Sequence, residues 1–166
     1  LRGRFAEVRP AATMLVCGLA DPRMKIEIEV DARRPADAGG TVRAEVRTAY
    51  ERYLSSFVAS DLAGIDAVVS YPLAHVGDGV VRLFDSFPID PAELQRGKGW
   101  HTTLNSSYEV VAVSPTKAHV VLYNGDRVRA DGSLIENVSA FYAFTRTDDG
   151  WKLYALSDVV NPASTG

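Results

Sequence analysis

The chain has 166 residues, 46% of them hydrophobic and 23% charged, with a net charge of −3. That is enough for one domain with its own core, and the absence of any Lys/Arg block argues against a dedicated nucleic-acid surface. No apolar run approaches the ~20 residues needed to cross a bilayer, and the single Cys17 excludes an intrachain disulfide framework or a multi-cysteine zinc site, pointing to a reducing, cytoplasmic setting.

Residues 1–40 differ from the rest. They hold six arginines, several prolines and the Gly39-Gly40 pair, and they read as an N-terminal arm or leader. The chain opens on Leu1, with Met14 and Met24 as candidate biological starts. The apolar stretch 11–20 follows three arginines, but Cys17-Gly18 interrupts it and Asp21-Pro22 follows, which argues against a secretory leader. Met24-Lys25-Ile26-Glu27-Ile28-Glu29-Val30 alternates apolar and charged residues, as a half-buried strand does. It is expected either to add to a sheet edge or to belong to an arm outside the fold.

From Val42 the apolar residues recur at helical spacing: Val42, Val46, Ala49, Tyr50, Tyr53, Leu54, Phe57 and Val58. Arg43, Arg47, Glu51, Arg52 and Ser55 occupy the other face, so an amphipathic helix of about five turns is expected, with Thr41 as its cap. Asp61 caps a shorter second helix over 62–69, which Pro72 stops by about Ser70. Residues 73–76 and 80–84 flank Gly77-Asp78-Gly79 and read as a small hairpin. Asp90, Pro91 and Glu93 open a third helix, which Gly97-Lys98-Gly99 closes.

The last third is a run of strands. Segments 106–113, 118–128, 134–147 and 151–160 are rich in Val, Tyr, Phe, Leu and Thr, and are broken by Ser114-Pro115, Asp131-Gly132 and Asp148-Asp149-Gly150. Asp-Gly between β-prone runs is a strong hairpin signal, so an antiparallel meander of about four strands is expected. Residues 161–166 read as a tail.

Long helix, short helix, hairpin, third helix and meander together resemble the NTF2-like superfamily, which includes the SnoaL-like and ketosteroid-isomerase-like proteins. The local likeness lies in Arg52-Tyr53-Leu54, followed by Asp61-Leu62-Ala63-Gly64-Ile65, and in Gly150-Trp151-Lys152-Leu153 at the start of the last strand. It covers residues 41–160, taken as one domain. The resemblance implies an α+β cone: a strongly curved antiparallel or mixed sheet wrapped around about three N-terminal helices, with an apolar cavity inside. The fold hosts isomerases, dehydratases, epoxide hydrolases, cyclases and non-enzymes, so it leaves catalysis open.

In 120–122 and 140–144 apolar residues occupy both alternation phases. A sheet wet on one side would show polar residues in one phase. Helices can cover one face; a symmetric homodimer through the sheet would cover the other, as the resemblance also implies.

The resemblance further implies site residues. Tyr53 matches an oxyanion-binding tyrosine on helix one; the alternative is a core tyrosine with a backbone partner. A carboxylate base falls on Gly77 by direct count, and a shift of one or two residues brings His75 or Asp78 into its place, each with a structural alternative: a packed histidine and a turn residue. Asp158 and Asn124 would point inward from their strands, Asp158 to orient His75 or act as an acid, Asn124 to orient a ligand; both also fit strand-end roles. Leu122 shares Asn124's phase. The family's second acid falls near Ala143, so that donor is missing. Trp100 would stand at the cavity mouth, against a ligand or as packing. The three histidines, His75, His101 and His119, show no metal-ligand spacing. The expectation is a pocket for a small apolar molecule, without cofactor or metal, serving an isomerase- or lyase-type acid–base reaction, or else a non-catalytic ligand-binding or dimerisation module.

Overall fold

The computed structural model describes residues 36–163. The strand expected over 24–30 lies outside the described residues. Helix α1 spans Ala36–Val58 and buries Val46, Tyr50, Tyr53 and Phe57, while Val42, Ala49 and Leu54 pack half-buried beside them. It begins earlier than the Thr41 cap predicts and runs through Gly39-Gly40. A glycine in a helix costs about 1 kcal/mol against alanine, which weakens a first turn without stopping a helix whose later turns are held by packing.

Helix α2 is Leu62–Asp66, capped by Asp61, whose carboxylate accepts from Gly64 N at 2.9 Å. It ends well short of the expected Val69. Val68 and Val69 are instead buried and enter the sheet, with Leu153 N donating to Val68 O at 2.8 Å. Strand β1, Val69–Val76, therefore contains Pro72, which sits exposed where the register with the neighbouring strand slips. Slips of this kind are where a strand tolerates a residue without an N–H. Strand β2, Val81–Phe84, closes the hairpin over Gly77–Gly79. Helix α3, Pro91–Lys98, runs as predicted from the Asp90 cap to a left-handed Gly99.

Strands β3 (Thr102–Val113), β4 (Lys117–Val128), β5 (Leu134–Thr147) and β6 (Gly150–Pro162) form the meander, turning at the three predicted breaks. The sheet order is β2-β1-β6-β5-β4-β3. Every neighbouring pair is antiparallel except β1 with β6. The result is an open, curved α+β sheet with α1 lying against β3 and β6. Its concave face carries the core. Tyr50 meets Tyr108 and Tyr142 at ring-centre distances of 4.8 and 5.0 Å, and Phe144, Leu153 and Val120 are fully buried beneath it. The convex face has no covering element among the described residues. Tyr123, Phe141 and Val159 stand there 53%, 39% and 59% exposed, which explains the apolar residues in both alternation phases.

Candidate functional site

Between α1 and the concave face of the sheet lies a cavity of about 520 Å³. Its apolar wall comes from Leu54, Phe57 and Val58 of α1, Leu122 of β4, Val138 of β5 and Leu156 of β6, with Ile89 from the segment before α3. The polar residues that line it are few: Tyr53, Tyr142, Ser55, Thr103, Ser106, Arg127 and Asp158. An apolar hollow with a small set of convergent polar groups is the usual form of a small-molecule site.

Tyr53 and Asp158, both singled out in the sequence, line this cavity, and His75 touches Asp158. Asp158 faces the cavity because it shares the inward row of β6 with Leu156. His75, from the parallel neighbour β1, contacts the same carboxylate at 2.8 Å, Nε2 to Oδ1. The imidazole is not part of the cavity wall; it stands behind Asp158 with its ring against Phe84. Tyr53 is buried in the wall and lies 5.6 Å from Tyr142 between ring centres. Burial lifts the Tyr53 phenol well above its ordinary range; Tyr142 and Asp158 push the same way and Arg127 opposes them. Burial likewise pushes Tyr142 up to about 12, against the pull of Arg127. Both phenols therefore stay protonated at neutral pH and can donate hydrogen bonds.

The other candidates lie elsewhere. Leu122 is in the wall. Asp78 is exposed in the β1–β2 turn, outside the cavity wall. Trp100 is buried behind the wall, with Nε1 donating to Thr103 Oγ1 at 3.3 Å and its ring 5.5 Å from Phe57. Asn124 does not face the cavity. Its amide donates to Asn105 O at 2.9 Å, and its oxygen accepts from Asn137 at 2.6 Å. The cause is a bulge: the β4–β5 register slips between Leu122 and Asp126, and the β3–β4 register slips at the same level. One extra residue in a strand reverses which side chains face inward.

The same slip turns Arg127 into the cavity, and simple alternation from Leu122 misses it. Arg127 Nη1 donates to Glu136 Oε1 at 2.7 Å, directly across the β4–β5 ladder. Lys98 of α3 holds the other Glu136 oxygen at 2.6 Å. Burial raises the Glu136 carboxyl, but Lys98 and Arg127 more than offset this and hold it below the ordinary carboxylate range. Gly125 was the available signal: a glycine inside a strand marks a bulge or a close approach. A Cβ there would meet Thr103 Cγ2 at 3.1 Å. Among the described residues no group of three His, Cys, Asp or Glu side chains is placed to hold a metal ion. No helix among them is long and apolar enough to cross a membrane.

Helices in front of a curved, mixed six-stranded sheet, with a pocket between the layers, define an α+β cone. No family model and no curated protein matches the sequence. Solved structures do match it. An NTF2-like protein from Cytophaga hutchinsonii superposes with a TM-score of 0.54 at 15% identity, over 73% of this chain and 98% of that one. An NTF2-like protein with a cystatin-like fold from Novosphingobium aromaticivorans gives 0.53 at 16% identity, over 77% and 87%. A candidate dehydratase of the NTF2-like family from Streptomyces avermitilis gives 0.51 at 17% identity, over 76% and 99%. The chain has the NTF2-like fold, as its helix, turn and strand pattern implied. At these identities the likeness is one of fold.

Proposed function

We propose that this protein is a small-molecule pocket protein performing cofactor-independent acid–base chemistry on a largely apolar ligand with an oxygen function. The reaction would be an isomerisation, dehydration or cyclisation of the SnoaL-like or ketosteroid-isomerase-like kind. One observation carries the reading: a carboxylate that faces an apolar cavity shared with two protonated phenols is gripped from behind by an imidazole at 2.8 Å.

Roles follow from position. Tyr53 donates to a carbonyl oxygen of the ligand. Asp158 takes a proton from the carbon next to that carbonyl, the C–H electron pair moves into the enolate, and the proton returns at another carbon. His75 positions the carboxylate. The departure from the isomerase pattern also stands: Ala143 is a partner of His119 on the ladder, and the acid on β5, Glu136, is tied to two cations. The reading therefore commits to enolate chemistry and not to a steroid substrate.

The test is proton exchange. Bicyclic and tricyclic ketones are incubated with the protein in D2O, and loss of the α-proton NMR signal is followed. Catalysed exchange is expected, falling about 100-fold or more in Asp158→Asn and in Tyr53→Phe. A ketone that binds without exchange would give way to the second reading, a non-catalytic ligand-binding module. That reading is favoured by the exposed apolar convex face, where we place a homodimer contact. No binding by any ketone would remove the pocket reading itself.

A further inference from the structure

The reaction above leaves Arg127 without a task. A guanidinium has five N–H donors. One is used on Glu136, and no other partner holds Arg127 among the described residues. Its side chain is 13% exposed, and it lines the cavity. Glu136 is 4% exposed and already shared with Lys98, whose side chain is 46% exposed. Two cations thus meet one buried carboxylate. Lys98 can settle its share of the charge in water; Arg127 can settle its share only toward the cavity. A cation with unused, fixed donors in an apolar hollow is a binding group for an anion.

We infer that the ligand of this pocket carries a carboxylate, bound by the free edge of Arg127, on an otherwise apolar body. This rests on the pocket reading above and names its substrate class. A carboxylate fits better than a phosphate for two reasons. It is planar and matches the guanidinium fork with two parallel hydrogen bonds. It also brings a single negative charge, whereas Asp158 in the same cavity opposes a second. The Lys98–Glu136 pair acts as the positioning group, holding the Nη1 edge of the guanidinium from behind. A ligand so held is bound at three points: its carboxylate on Arg127, its carbonyl oxygen at Tyr53, and the reacting C–H before Asp158.

Isothermal titration calorimetry of the wild-type chain tests this with matched probes: cinnamate, naphthalene-1-acetate and indole-3-acetate, each against its own primary amide. At least one acid is expected to bind about 10- to 100-fold tighter than its amide, the range of a charge-assisted hydrogen-bond pair. The double variant Arg127→Gln/Glu136→Gln, which replaces an ion pair by a pair of amides, should lose the preference for acid over amide. Arg127→Lys, which keeps the charge and loses the fork, should retain only part of it. Equal affinity for acid and amide in the wild type overturns the carboxylate assignment and leaves the pocket standing. A preference that survives in the double variant also overturns it. Failure of all six probes to bind would sink both the pocket and its anion.

Discussion

Replacing Glu136 by Gln tests the electrostatic design of the cavity wall directly. The carboxylate is 4% exposed and carries Lys98 at 2.6 Å and Arg127 at 2.7 Å. Lys98 is 46% exposed and can turn to water once its partner is gone. Arg127 is 13% exposed and stays in place with its charge unanswered. Removing one partner of a buried pair costs about 3–5 kcal/mol. Glutamine keeps one neutral hydrogen bond of about 1 kcal/mol, so the expected loss is about 2–4 kcal/mol, a fall in Tm of about 10 °C for a domain of this size. The assay is urea unfolding at low salt; guanidinium chloride would screen the interaction being measured. Arg127→Gln/Glu136→Gln should restore much of the loss, because two amides satisfy each other without a stranded charge. The pH dependence has a definite sign. The folded-state Glu136 carboxyl is held below its ordinary range, so its contribution is present above the unfolded carboxyl range and is lost as pH falls through the folded one. The gap between wild type and Glu136→Gln should therefore close in acid. A single variant within about 0.5 kcal/mol of wild type at neutral pH, or a gap that does not shrink in acid, would refute this account.

Three further outcomes follow from the packing. Gly64→Ala should destabilise by about 1–2 kcal/mol, because its Cβ would run into the Asp61 carboxylate that caps α2 and the Ser56 hydroxyl; unchanged thermal unfolding would remove the steric reason for glycine in that turn. Phe144 is fully buried under Tyr50, so Phe144→Ala should cost about 3–5 kcal/mol in urea unfolding, and a loss under about 1 kcal/mol would contradict the core drawn here. Sedimentation of the wild type at micromolar concentration should show a dimer that Phe141→Lys/Val159→Lys converts to the 18.0 kDa species. A wild type that sediments only as that species would end the dimer proposal.

Most of the fold was legible because local signals agreed with long-range ones. The meander could be read from Asp131-Gly132 and Asp149-Gly150, and Gly132 and Gly150 do adopt positive φ at those turns. Helix α3 could be read from Asp90-Pro91 at one end and Gly99 at the other. What failed was set by contacts distant in sequence. Val68 and Val69 continue a helical pattern, yet β6 captures them for the sheet. Proline at position 72 suggested a stop, but an irregular ladder gives it a place in a strand. In the site, Tyr53 and the His75–Asp158 contact were within reach, since a helix face and a strand phase place them. Asn124 and Arg127 were not, because counting by twos fails across the bulge between Leu122 and Asp126.

That failure says where the chemistry of this pocket resides. Helix α1 gives the cavity hydrocarbon, one phenol and one hydroxyl; both charged groups come from the sheet, Arg127 from β4 and Asp158 from β6. Both strands are flanked on each side by another strand, and a site on regular elements is held more precisely than one on loops. On the row Leu122–Ala140–Asp158 the middle strand carries only a methyl group. Val138 and Tyr142 of the same strand border the cavity on either side of that row, and on the next row Val120, Tyr142 and Leu156 are buried. The cavity's cation thus comes from one slipped residue in β4. A change that repairs the β4 bulge should therefore empty the site of Arg127 while leaving Tyr53, Asp158 and His75 where they are.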